Sequence, residues 1–287
     1  MALSIGGNYG MLRSLNNLRS TQSKMNKSME RISSGLRINS AADDAGGLAM
    51  GMKLSLEVAK TENVQSNVAN AKSFVEAQSS ALETAADIVS EMKTLKTQYD
   101  DATATADDKA TYQSEFENLQ GQLTMLTGEK FNGEALFGSS PKQVSTTSDG
   151  SRLVNFGGID LAAKLGSLTD NSVTLATATV ADDPSTVPDE SVTSVEDQMD
   201  NAFDGITSLI GTAGGHSSTL GFASSYLESK AANLEAARSR VMDADIVEES
   251  TNLSKYTMQY EATVAAIAQA NSTQQTVMEL LLFPEKK

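Results

Sequence analysis

Residue types that do chemistry are scarce in this chain, and their spacing limits what they can do. The one histidine, His216, stands in Gly215-His216-Ser217-Ser218-Thr219. A hydrolase elbow needs Gly at the fifth position, where this chain has Thr219. A histidine next to its own serine also leaves no separate general base. His216 is better read as a packed or edge residue on a helix seam. Asp43-Asp44 and Asp243/Asp245 are carboxylate pairs that could serve a metal or acid–base role. Both precede apolar starts, and Asp is a leading helix N-cap residue, so capping is the preferred reading for Asp43, Asp44, Asp243 and Asp245. Asp245-Ile246-Val247-Glu248 fits a capping box. Met11, Met25 and Met29 recur at core spacing and read as apolar filler rather than ligands.

Composition narrows the classes further. The absence of Cys excludes disulfide scaffolds, thiol nucleophiles and zinc fingers. The 22 basic and 37 acidic residues give a net charge of −15, against a dedicated nucleic-acid binder. No apolar run reaches the roughly 18 residues of a membrane span, so no membrane insertion is expected. Residues 1–10 lack the basic start and apolar stretch of a secretory signal. No cofactor is implied.

The elements that must position these residues are helices. The four prolines are Pro141, Pro184, Pro188 and Pro284, so two long proline-free arms flank a central segment. In the first arm Met11, Leu15, Leu18, Gln22, Met25, Met29, Ile32 and Leu36 follow a 4-3 rhythm, and Gly35 is a plausible stop. Val64, Val68, Ala71, Val75, Gln78, Leu82, Ala85, Val89 and Met92 predict a second helix, about 40 Å across that run. A third is expected over 112–126. In the second arm a heptad runs from Val192 and Val195 to Leu227 and on to Val241, with Lys230 a poor fit. Residues 253–282 show a broader apolar face with Tyr256, Tyr260, Val264, Ile267, Val277 and Leu281. Residues 138–190 carry the Gly and Pro breakers, and their alternation over 173–180 predicts short strands. The fold class is therefore mainly α: long antiparallel helices forming a terminal coiled coil and a helix bundle, with a small β or loop insert in mid-chain. Helices this rich in Ala and poor in large side chains look underfilled unless other copies cover them.

Two motifs carry a resemblance. The first runs Arg31-Ile32-Ser33-Ser34-Gly35-Leu36-Arg37-Ile38-Asn39-Ser40-Ala41-Ala42-Asp43-Asp44-Ala45-Gly46-Gly47-Leu48. The second runs Asn233-Leu234-Glu235-Ala236-Ala237-Arg238-Ser239-Arg240-Val241-Met242-Asp243-Ala244-Asp245. They resemble the N- and C-terminal signatures of bacterial flagellin, as do Phe131-Asn132-Gly133 and Ala268-Gln269-Ala270-Asn271. The resemblance covers residues 1–137 and about 190–282. It implies a subunit that polymerises into the flagellar filament, exported unfolded through the type III channel and added at the tip. It implies as partners further copies of the chain, an export chaperone, the filament cap and hook-associated proteins. The nearest alternative is a hook–filament junction protein.

The resemblance also implies a division into 1–45 with 245–287 as the terminal core, 46–137 with 190–244 as a helix bundle, and 138–190 as a variable surface insert. Subunit contacts are then expected from Leu15, Leu18, Met25, Met29, Ile32, Tyr260, Val264, Ile267, Val277 and Leu281. Arg31, Arg37, Arg238 and Arg240, near Asp43, Asp44, Asp243 and Asp245 in sequence, could make charge-assisted bonds within or between subunits. Residues 1–60 hold eight basic and four acidic residues, whereas 182–204 holds eight acidic and no basic ones, so the negative charge sits away from the first arm. Three departures stand out. Flagellins commonly have Ala-Ala-Gly where this chain has Ala45-Gly46-Gly47, which should loosen that turn. The tail continues past Leu281 to Lys287. Where many flagellins place an Arg read by the vertebrate innate receptor, this chain has Glu91, so weak receptor recognition is expected.

Overall fold

A computed structural model describes residues 9–169, 173–176 and 194–282. Helices α1 (Tyr9–Ser34), α2 (Ala45–Tyr99) and α3 (Ala106–Thr127) are followed by strands β1 (Lys130–Phe131), β2 (Glu134–Ala135), β3 (Pro141–Ser145) and β4 (Leu153–Gly157). A short helix α4 (Leu161–Leu165) runs into a 3-10 turn, and α5 (Val195–Met242) and α6 (Ile246–Leu282) complete the described chain. Two compact units result: Met1–Glu57 with Asn233–Lys287, and Val58–Ala232.

In the second unit the heptad residues behave as their spacing predicts. Val68, Ala71, Val75, Leu82, Ala85, Val89 and Met92 of α2 are buried, as are Val195, Met199, Ala202, Ile206, Ala213, Leu220 and Leu227 of α5. His216 is half-buried on the same seam, and Val192 lies outside the described residues. Helix α3 adds Phe116, Gln120 and Leu123. It starts at Ala106, earlier than the apolar spacing predicts, because Thr105 and Asp108 form a reciprocal capping box that fixes its first turn. The β1–β2 hairpin turns at Asn132 (φ 52°) and Gly133 (φ 84°), the left-handed pair that a two-residue hairpin loop requires. The β3–β4 hairpin pairs Pro141 with Gly157 through Ser145 with Leu153.

The strands expected over 173–180 are not strands where described: 173–176 is loop and turn, and 177–180 lies outside the described residues. The alternation has another cause. Val173 and Leu175 are buried, and the backbone between them is held by side chains rather than by a partner strand. Gln120 Nε2 donates to the Val173 carbonyl at 3.0 Å, and the Leu175 N–H donates to Gln113 Oε1 at 2.8 Å. The described part of 138–190 also contributes Val144, Phe156, Ile159, Leu161, Leu165 and Leu168 to the core.

In the first unit α1 and α6 pack antiparallel: Ser28 and Arg31 reach Glu249, while Met25 lies against Thr257. The facing residues on α1 are Met11, Ser14, Leu18, Thr21, Met25, Ser28 and Ile32, buried or half-buried on a 3-4 rhythm. Those on α6 are Glu249, Leu253, Tyr256, Tyr260, Thr263, Ile267 and Ala270. Spacing of about 3.5 residues is the signature of two helices sharing one seam.

Candidate functional site

The two signature motifs meet in the first unit. Helix α1 stops because Gly35 takes φ +72°, a conformation that favours glycine, while its N–H still reaches the Arg31 carbonyl at 2.9 Å. The chain then runs beside the end of α5. Leu36 and Asp243 form an antiparallel bridge. The Arg37 N–H donates to the Met242 carbonyl at 2.6 Å, and the Ala244 N–H to the Gly35 carbonyl at 2.9 Å. The Arg37 guanidinium adds a bond to the Val241 carbonyl at 2.7 Å. Ile38, 2% exposed, plugs the turn that follows.

The carboxylates divide the work. Asp44 is a helix cap: its Oδ1 accepts the Gly47 N–H at 2.9 Å at the start of α2. Asp43 is not, which corrects the expectation. Its carboxylate accepts the backbone N–H groups of Asn39 and Ser40, both at 3.2 Å, and pairs with Lys27 at 2.6 Å. It closes the 39–43 loop onto α1. The Lys27 hydrogen bond first, then the Asn39 N–H, hold its pKa down at about 2. Asp245 caps α6, accepting the Val247 and Glu248 N–H groups at 2.9 and 3.2 Å. Among the described residues Glu248 returns no bond, so the box is one-sided. Asp243 is a second correction: it contributes its backbone bridge to Leu36, and the cap of α6 is Asp245 alone. Helix α2 starts at Ala45 and runs through Gly46 and Gly47.

The arginines find partners other than the paired aspartates. Arg31 Nη1 donates to Glu249 Oε1 at 2.7 Å, and Ser28 Oγ donates to Glu249 Oε2 at 2.8 Å. Glu249 is only 7% exposed. Burial would raise its pKa, but the hydrogen bonds from Arg31 and Ser28 outweigh this and hold it below its usual value. This buried triad went unread because Ser28 and Glu249 are polar and apolar spacing ignores them. Arg238 pairs with Glu235 one turn back at 2.5 Å. Arg240 is exposed.

Leu15, Leu18, Met25 and Ile32 are half-buried on α1, and Tyr260 and Ile267 on α6. Met29 and Val264 lie 52% and 42% exposed, with Ser28 and Thr263 on the seam instead, so Met29 is not the apolar filler its spacing suggests. At Ser28 a small hydroxyl side chain lets the two helices close up, whereas the bulkier Met29 one position on is turned outward. The side chains of Val277 and Leu281 lie outside the described residues. Glu91 is exposed in the second unit. The site as built is a set of caps, ion pairs and a seam; it joins segments.

The terminal halves of the chain match two family models. Residues 5–141 match the bacterial flagellin N-terminal helical region, and residues 197–281 match the bacterial flagellin C-terminal helical region. The chain belongs to the bacterial flagellin family. Similar proteins include a flagellar filament 33 kDa core protein of Treponema phagedenis, 26% identical over 96% of this chain and 99% of the relative. A flagellin of Bacillus subtilis is 28% identical over 97% of this chain and 100% of the relative. Flagellin FlaB2 of Treponema pallidum is 27% identical over 96% and 99%. Flagellins are structural subunits of the extracellular flagellar filament, and this chain is one of them rather than an enzyme. Nothing in these similarities favours the hook-junction alternative.

Proposed function

We propose that the α1–α6 pair carries the contacts by which copies of this chain build the filament. The supporting observation is what the pair leaves uncovered. Leu12 and Met29 of α1 are 57% and 52% exposed, and Val247 and Met258 of α6 are 76% and 64% exposed. Each helix has one face on its partner and apolar side chains on the other, as expected for surfaces that further copies cover. Heterologous contacts of this kind repeat without closing. In this reading residues 1–45 with 245–287 form the filament core, 46–137 with 190–244 the surrounding bundle, and 138–190 the outward insert. Export in an unfolded state with a chaperone, and addition at the tip beneath a cap, complete the proposal.

Negative-stain electron microscopy of purified protein with sheared filament seeds tests it. Uniform filaments that disappear when residues 1–40 are deleted support the assignment of contacts to the terminal pair. Equal filament yield from the deleted chain overturns it.

A further inference from the structure

Helix α2 meets the end of α5 at Gly51, where any added side chain would have to displace the Met242 thioether. A Cβ on residue 51 would stand 2.6 Å from Met242 Cγ and closer still to its sulfur. Gly51 is buried beneath this thioether, while Met242 itself is half-buried and so has one side open to water. The backbone of Met242 is a fixed point of the junction: its carbonyl accepts the Arg37 N–H at 2.6 Å, and the next residue bridges Leu36. Side-chain seat and backbone anchor are thus one residue.

We propose that Met242 is an oxidation site whose conversion to the sulfoxide releases this junction, with hydrogen peroxide as the oxidant. The sulfur lone pair attacks one peroxide oxygen. The S–O bond forms as the O–O bond breaks, the thioether is oxidised by two electrons, and the peroxide is reduced to water. The product carries a polar oxygen on the atom that fills the notch. A sulfoxide oxygen is far more strongly hydrated than a thioether, so it draws the side chain toward its open side and off the Gly51 backbone. The Gly51 contact is then empty, and the Arg37 and Ala244 hydrogen bonds lose their support. Met50 and Met52 flank the seat in sequence, 58% and 66% exposed, and are oxidised sooner than the half-buried Met242. Reduction of the sulfoxide restores the thioether, so the release is reversible.

The test uses the full chain, as filaments or, should it not assemble, in solution. Samples are treated with graded hydrogen peroxide, and peptide masses give the oxidation at each methionine. Amide hydrogen exchange is followed over 35–38 and 241–245. Exchange there should rise about tenfold or more in proportion to Met242 sulfoxide, and should fall back after treatment with methionine sulfoxide reductases. In Met242→Leu, which cannot take the oxygen, the same peroxide dose should leave that exchange unchanged although the other methionines are oxidised. A Met50→Leu/Met52→Leu chain, whose seat is intact, should show the same rise at the same dose, which separates Met242 from its neighbours. The proposal is overturned if Met242 resists oxidation after Met50 and Met52 are converted. It is also overturned if exchange over 35–38 does not track Met242 sulfoxide in the natural chain or in the Met50→Leu/Met52→Leu chain. None of these readouts requires that the α1–α6 pair make the filament contacts.

Discussion

Replacing Arg31 with methionine should weaken assembly through Glu249. The substitution keeps the apolar stem and removes the charge, leaving a carboxylate that is 10% exposed with Ser28 as its remaining side-chain donor. Exposed ion pairs contribute about 1 kcal/mol or less, whereas breaking a fully buried one costs about 3–5 kcal/mol. Arg31 is 27% exposed and the cover is two helices, not a deep core, so about 2–3 kcal/mol is expected. If assembly needs the α1–α6 pair, that loss raises the critical concentration for seeded growth roughly 30- to 150-fold. Pairing the change with Glu249→Met removes the stranded charge, and the double variant should recover most of the loss.

Acid gives a second arm of the same test. The Glu249 carboxyl is held below its ordinary value, so its contribution is fully present above pH of about 4.5 and fades as pH falls through the lowered value. The critical concentration of the unmodified chain should rise on acidification in that window, and that of the double variant should rise less. An Arg31→Met chain within twofold of the unmodified one, or a double variant no better than the single one, would refute the reasoning.

The Asp43 loop should respond to acid at a lower pH. Its carboxyl sits at about 2, so the 39–43 turn should persist well below the ordinary aspartate range and loosen only near pH of about 2, as followed by amide exchange at Asn39 and Ser40. Gly47→Ala places a Cβ 2.5 Å from Asp44 Oδ2 and against Ile38, so a loss of about 1–3 kcal/mol is expected, measured by denaturant unfolding. Thr105→Ala removes the α3 cap and should cost the second unit about 1 kcal/mol, read as a lower thermal midpoint. Glu91→Arg should raise activity in a reporter-cell assay of the vertebrate flagellin receptor, and unchanged activity would count against a role for that position.

Long-range apolar patterning made most of the fold legible. The α2 and α5 seams were readable because Val, Leu, Met and Ala recur over many turns, interrupted on the named positions by Gln78, His216 and Lys230. On α1 the pattern was readable as a heptad but one residue out at alternate positions, and on α6 as a broader face one residue out at Val264. Met29 outranked Ser28 on hydrophobicity, while close helix approach and the bond to Glu249 decide for Ser28. The caps at Asp44 and Asp245 were visible because capping is local. The Ser28–Arg31–Glu249 triad was not, since its members are polar and lie 218 and 221 residues apart. The segment at 173–176 mimicked a strand because burial of alternate residues, not strand pairing, produces the alternation.

Those sequence separations also set a timetable. Residues 9–34 leave the ribosome early, yet the helix they pack against is made only after everything between them. Closing so long a loop is entropically costly until the intervening chain is compact. The bundle from Val58 to Ala232 draws on nearer contacts and can form earlier, whereas the terminal pair must wait until translation has passed residue 282. A half-made chain therefore cannot present the paired helices.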